Sequence, residues 1–557
     1  MTALLIVIVL GFVVIAAATV VGPRLGIASP LVLVAVGVGA SFVPVIGSTP
    51  IEPELILAGV LPPLLYSSAV SMPAMNFRRE FGAISGLSVL LVVGSSLVLG
   101  LFFALVIPGL GFAWGVALGA IVSPTDAVAT SIIKKTSVSK RVVALLDGES
   151  LLNDATALVL LRTAIVAVAA TFSFWDAIGT FAYSVVVAVV IGLLVGWANL
   201  AVRKRVTDST VNTVISFAVP FAASIPTGLF HGSGLVAAVV AGLVTGIRAP
   251  RDLSPQNRLS DSQNWRTVEL VLEGAVFLVM GVQLKGILAD VQNDHAGIAI
   301  AVLIAVGALV LTVAVRAAYI APLLGVLKAR SRHNEKMLPR FEGFQDRFDT
   351  PEGKREAFAE VNSRKRPVSD RQINVFARRV TTGLADIAYF RSQPLGWREG
   401  AAVVWAGMRG AVTVAAAQTL PTGTPQRSTL VLIAFAVAAL SLLVQGGTIG
   451  PLLRVLAPKS DQAADEEDQA TTERRRIIEL MRSTRDQLPA ITAPEGDPTP
   501  EFIRETQNRM RQSIDVQRAA LLDARDNGTF DADVLAEVLA NLDASQIAIE
   551  MRGRTLD

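Results

Sequence analysis

Apolar residues run through this chain in long blocks, separated by short polar stretches. A helix needs about 20 apolar residues to cross a bilayer core, and roughly thirteen blocks satisfy that rule. They cover residues 3–21, 25–43, 55–71, 84–107, 112–133, 142–170, 177–200, 211–230, 234–247, 268–288, 298–327, 401–420 and 430–456. The pattern predicts an all-α polytopic membrane protein. Basic residues cluster at alternate ends of successive spans, at Arg24, Arg78–Arg79, 134–141, 203–205, 248–258 and 328–398. The intervening loops, such as 44–53, 109–110 and 421–425, hold few or no basic residues. The positive-inside rule makes the basic side cytoplasmic. An odd number of spans then sets the N-terminus outside and the C-terminus inside. The first span lacks a basic start and reads as a retained helix rather than a cleaved signal peptide.

Two polar regions remain. Residues 328–398 form a basic cytoplasmic insertion within a membrane domain of residues 1–457, and residues 458–557 form a cytoplasmic helical tail. In the tail, helix-like stretches at 472–488, 501–524 and 531–552 are separated by a break near 489–500 and a turn at Gly528.

Composition agrees. Only 17% of the residues are charged, against roughly 25% in an average soluble domain, so much of the surface must face something other than water. There is no cysteine, hence neither a disulfide framework nor a thiolate metal site. His231, His295 and His333 are too scattered to read as a zinc cluster, and the net charge of +3 gives no reason to expect nucleic acid. No cofactor is implied.

Polar residues inside spans carry the chemistry, because a charge there costs about 2.5–3.5 kcal/mol on insertion scales. In the fifth span, Ser123-Pro124-Thr125-Asp126 holds a proline that lacks an amide hydrogen and breaks the helix, freeing carbonyls beside the Thr125 and Asp126 oxygens. Gly111, Gly115 and Gly119, spaced at four, predict close helix packing in that span. In the sixth span, Glu149, Asn153, Ser150 and Asp154 fall at about 0°, 40°, 100° and 140° around a helix, a polar face that must line protein or water. Asp154 lies about 12 residues, or ~18 Å, from the cytoplasmic start of its span, near mid-membrane. In the twelfth span, Arg409 is flanked by Gly407 and Gly410 and needs a carboxylate partner. Glu273 and Arg316 are singletons for which structural pairing is at least as good a reading as transport.

Broken helices with polar groups at mid-depth, in corresponding places of two halves, point to a secondary transporter. Spans one to six begin outside and eight to thirteen inside, which predicts two inverted six-helix repeats with broken crossing helices at spans 5 and 12.

With these motifs, together with Phe277-Leu278-Val279-Met280-Gly281 and Gly407-Met408-Arg409-Gly410-Ala411-Val412, the chain resembles the monovalent cation:proton antiporter-1 family, the sodium/proton exchangers, in their bacterial branch. The resemblance covers most of residues 1–458; the long basic insertion departs from it. It implies a homodimer in the inner membrane that uses Na+ and H+ as substrates, with lipid as its surroundings. It implies Asp154 as the exchange carboxylate and a sodium site at Asp154, Asp126, Thr125 and Ser150, supported by Asn153. Ser123, Glu273 and Arg316 are auxiliary candidates. It further implies a structural ion pair of Glu149 with Arg409. The Asn153-Asp154 sequence matches family members that are electroneutral. The expected activity is one-for-one exchange of Na+ or Li+ for H+, by competition for Asp154 in an alternating-access cycle. Hard oxygen ligands suit these ions, while K+/H+ exchange remains open on ligand type alone. An uncoupled cation channel lacks the expected filter of repeated carbonyls. An intramembrane enzyme lacks an HExxH motif, and Ser233 beside His231 is too isolated for a dyad.

Overall fold

The computed structural model describes residues 2–24, 27–43, 52–126, 128–134, 136, 138–169, 174–294, 297–348, 350–361, 369–456, 460–489 and 500–554. Most of the expected 44–53 loop, the 489–500 break and His295 lie outside these residues. The described chain divides into two compact units.

The first unit comprises Met1–Asp252, Leu259–Leu323 and Gly396–Ala457. Its helices are α1 (Thr2–Arg24), α2 (Ser29–Ser41), α3 (Leu55–Ser71), α4 (Ala74–Val106), α5 (Phe112–Val122), α6 (Val128–Ile133), α7 (Lys140–Ala169), α8 (Phe174–Arg203), α9 (Ser209–Leu229) and α10 (Gly234–Asp252). Then follow most of α11 (Pro255–Asn293), the first part of α12 (Ile298–Gln345), the pair α15 (Trp397–Trp405) and α16 (Ala411–Gln418), and α17 (Arg427–Leu456). Nine of these are long and apolar enough to cross a membrane among the described residues; α2, α3 and α5 are shorter apolar helices. The protein is an all-helical, multi-span membrane protein.

Small residues set how closely the helices pack. A side chain at Gly115 would strike the Gly100 carbonyl, and one at Gly119 the Ser96 carbonyl, so α4 and α5 touch backbone to backbone. Gly111 behaves differently from the expectation. It has φ +73°, a turn conformation that favours glycine, and no neighbour against which to pack. The apolar arc of α7, at Leu151 and Ala155, packs with Leu61, Leu65 and Ala69 of α3 and Leu235 and Val239 of α10. The opposite arc is thereby left to the polar groups.

Both expected breaks are present. Residues 123–126 are not helical between α5 and α6, and residues 407–410 are not helical between α15 and α16. Several helices outrun their apolar blocks. The tenth begins at Pro255 rather than near residue 268, and the eleventh continues from its apolar block to Gln345. The α12 flank stays helical even through Pro339, and the apolar block alone marked the span.

The second unit comprises Leu253–Arg258, Leu324–Leu395 and Pro458–Asp557, so the insertion and the tail belong together. In the insertion, α13 (Pro351–Val361) and α14 (Asp370–Ser392) join the end of α12 around Phe344, Ala357 and Val380. The Phe376 ring sits 5.8 Å from Phe344 and 5.5 Å from Phe358. The tail helices α18 (Ser460–Asp486), α19 (Pro500–Asn527) and α20 (Ala532–Arg554) enclose Ile477, Ile514, Leu521, Val534, Leu535 and Leu542. Gly528, with φ +74°, caps α19, and the Asp531 Oδ1 accepts from the Asp533 and Val534 amides at the start of α20.

Candidate functional site

Two broken helices meet at their breaks. The Asp126 amide donates to the Met408 carbonyl at 2.7 Å, joining residues that sequence places far apart. The site is assembled around that bond. Arg409 Nε donates to the Val122 carbonyl (2.9 Å), which the end of α5 has freed, and its Nη1 bonds the Gly407 carbonyl. The Arg409 amide donates to Ser441 Oγ (2.9 Å). Gln445 Nε2 in turn donates to the Trp405 carbonyl (3.2 Å) at the end of α15. Backbone groups released by unwinding are therefore taken up by side chains, as burial demands. Gly410 leaves no room for substitution, because a Cβ there would land on the Asp126 carboxylate.

Helix α7 supplies the facing wall. Asn153 Nδ2 donates to Thr125 Oγ1 (2.9 Å), and Thr125 Oγ1 makes a long hydrogen bond to Glu149 Oε1 (3.4 Å). Asp126 Oδ1 accepts from the Val128 amide (3.0 Å) and so caps α6. Ser123 Oγ shares a hydrogen bond with Ser95 Oγ (2.8 Å). Asp154 is 7% exposed, and its Oδ1 is buried with no hydrogen-bond partner. Asp126 is near enough for its charge to act on Asp154. Ser150 is half-buried and makes no hydrogen bond to these residues.

The ion pair is not the expected one. Glu149 is held by Arg316, whose Nη1 and Nη2 grip both carboxylate oxygens, the latter at 2.7 Å, while Nε donates to the Val403 carbonyl (2.9 Å). All three groups are buried. Arg409 hydrogen-bonds backbone carbonyls instead, although it lines the same small cavity as Ser95, Ser123, Glu149, Asn153 and Arg316. The physical reason is that α12 delivers Arg316 directly to the Glu149 fork, whereas the freed carbonyls at Val122 and Gly407 satisfy Arg409 locally.

Other polar groups escaped sequence reasoning. Thr413 Oγ1, three residues beyond Gly410, is buried without a partner. Glu269 lies one turn before Glu273 on α11 and accepts from Ser67 of α3 (3.2 Å), and its charge acts on Glu273 together with that of Asp126. Its helical spacing from Glu273 was a usable signal. A second buried network joins Arg203 to Asp261 (2.6 Å) and Asn212 (2.7 Å), with Ser216 bridging Trp265 and Asp261.

The comparisons with known proteins agree with this architecture. The family profile "Sodium/hydrogen exchanger, transmembrane" matches residues 9–343 and 373–455. The chain belongs to the sodium/hydrogen exchanger family. The gap in that match, residues 344–372, falls in the insertion. This exchanger is 26% identical over 533 residues to the low-affinity Na(+)/H(+) antiporter NhaS1 of Synechocystis, covering 92% of this chain and 87% of that one. It is 29% identical over 276 residues to a sodium, potassium, lithium and rubidium/H(+) antiporter of Bacillus subtilis, covering 48% and 41%. Its fold is similar to the sodium proton antiporter MjNhaP1 of Methanocaldococcus jannaschii, with TM-score 0.56 and 16% identity over 82% of this chain and all of that one. The exchanger is thus a transporter rather than an enzyme. Among its described residues no group of three or more His, Asp or Glu side chains could hold a resident metal ion.

Proposed function

We propose that the protein exchanges Na+ or Li+ for H+ across the cytoplasmic membrane, one for one, with Asp154 as the group for which the two compete. The observation that carries this reading is the buried, unpartnered Oδ1 of Asp154 next to the crossing of two broken helices. A carboxylate in that position is stabilised by taking a proton or a cation. It holds one or the other, and competition couples the two flows provided the empty, charged site does not cross. Asp126 and Thr125 contribute oxygens, Asn153 orients Thr125 by hydrogen bond, and Ser150 and Thr413 stand ready as hydroxyl ligands. Asn153 beside Asp154 supports electroneutral exchange. The protein works as a homodimer, with its N-terminus outside and the insertion and tail in the cytoplasm, as the basic loops require.

The Bacillus subtilis relative, whose name includes potassium, favours a second reading in which K+ is also carried. Reconstitution in liposomes tests both. Sodium, lithium and potassium gradients should each be scored for proton counterflow, with and without a membrane potential. Asp154→Asn is expected to abolish cation-dependent proton movement while the protein still inserts and keeps its oligomeric state. Full exchange by that variant would remove Asp154 from the mechanism, and dependence on membrane potential would overturn the one-for-one ratio.

A further inference from the structure

We infer that Gln283 on α11 and Gln418 on α16 form an outer latch, a hydrogen bond that opens whenever the site faces the external side. The inference rests on the exchange function proposed above. Gln283 Nε2 donates to Gln418 Oε1 at 3.1 Å, and both side chains are half-buried. The two helices are held to different neighbours within the first unit. Helix α11 sits on α1 and α2, since a Cβ at Gly274 would strike Ile15 and one at Gly281 the Val34 carbonyl. Helix α16 sits on α5 and α17. Arg427 at the start of α17 fixes its far end, donating to the Gln418 and Leu420 carbonyls (2.7 and 2.8 Å). A helix end leaves such carbonyls without partners of its own. The bond between the two glutamines thus ties one packed group of helices to another.

Helix geometry places the bond relative to the site. With Glu269 at 0° around α11, Glu273 falls at about 40° and Gln283 at about −40°, while Gly274 and Gly281 fall at about 140° and 120°. One face of α11 is therefore seated on α1 and α2, and another carries polar groups. Of these, Glu273 is near enough to feel the charge of Asp126. Gln283 lies 10 residues, or ~15 Å, beyond Glu273, and Gln418 lies 8 residues, or ~12 Å, beyond Gly410 at the crossing. Helix α16 runs on toward residues 421–425, which include no basic residue, so the bond lies on the external side by the positive-inside rule. An ion moving outward between the polar face of α11 and the crossing meets the closed pair. One neutral hydrogen bond shifts an equilibrium by about fivefold, enough to bias the cycle and weak enough to open in every turn of it.

The chain has no cysteine, so Q283C/Q418C introduces its only thiols. Joining them with a short bis-methanethiosulfonate should stop Na+/H+ exchange in proteoliposomes, and reductant should restore it. Exchange by the linked protein at the unlinked rate would overturn the latch. Q283A and Q418A should each lower the half-saturating external Na+ in right-side-out vesicles by up to about fivefold, because more of the population faces outward. In inverted vesicles, where the cytoplasmic face is offered, the same variants should change little. Q283A/Q418A should shift no further than either single variant, since each already loses the same bond. Additive shifts, or equal shifts at the two faces, would count against the latch. Amide hydrogen exchange reads the same bond without transport, and Q283A should speed it at residues 284–293 and 415–420. Unchanged amide exchange there would also overturn the inference, whereas a protein that moves no ions would overturn the exchange function and leave this readout standing.

Discussion

At the scale of single residues, the informative pair is Glu149 and Arg316. Two buried arginines stand near one buried glutamate, and only Arg316 holds both of its oxygens. Removing one partner of a buried pair leaves a charge without compensation and costs about 3–5 kcal/mol. Arg316→Ala should therefore destabilise the protein strongly, and adding Glu149→Ala should recover part of the loss. Arg409→Ala breaks bonds to the Val122 and Gly407 carbonyls instead, so adding Glu149→Ala should recover less. Thermal unfolding of the three single and two double variants gives both coupling energies. Equal coupling for the two arginines would return Arg409 to the role that the family resemblance implied. Sequence could not decide this, because both arginines sit in apolar spans and nothing local says which one reaches across.

At the scale of elements, the breaks were legible because their causes are local. Pro124 lacks the amide a helix needs, and Gly407 and Gly410 remove the side chains that would hold one together. The polar arc of α7 was legible from periodicity, and its apolar complement does pack against α3 and α10. What stayed hidden is long-range. The bond from the Asp126 amide to the Met408 carbonyl joins two segments whose pairing no spacing reveals. The extent of α11 and α12 beyond their apolar blocks was also hidden, since hydropathy reports where lipid ends and not where a helix does. The crossing makes a sharp prediction for Gly410. A methyl group there collides with the Asp126 carboxylate, so Gly410→Ala should displace Asp126 and lower exchange by an order of ten or more while insertion is preserved. Gly94→Ala on α4 is the control, because a Cβ there meets nothing within 4 Å. Normal exchange rates in the Gly410 variant would mean that the close approach of the two breaks has no part in transport.

At the scale of the whole molecule, a short segment between α10 and α11 is grouped with the insertion and tail rather than with the spans beside it. One node explains the grouping. Asp543 on α20 accepts from Arg258 Nε (3.0 Å) and a second Arg258 nitrogen, and also from Arg518 Nη2 (3.0 Å), which reaches Gln546 as well (2.6 Å). The three charged side chains are only 12–16% exposed, so solvent screens them far less than an ordinary surface pair. Arg258 opens the helix that carries Glu269 and Glu273, and the node therefore ties the start of that helix to the tail. Asp543→Ala would leave two guanidinium groups facing each other without their shared carboxylate. Amide hydrogen exchange should then rise in α20 around Leu542 and in the first turn of α11, with the spans unchanged. Arg474→Gln provides the comparison, since the Arg474–Glu537 pair is 50% and 55% exposed and such pairs are worth about 0–1 kcal/mol. Should the two variants exchange alike, the buried node contributes no more than a solvated pair, and the grouping of Leu253–Arg258 with the tail would need another cause.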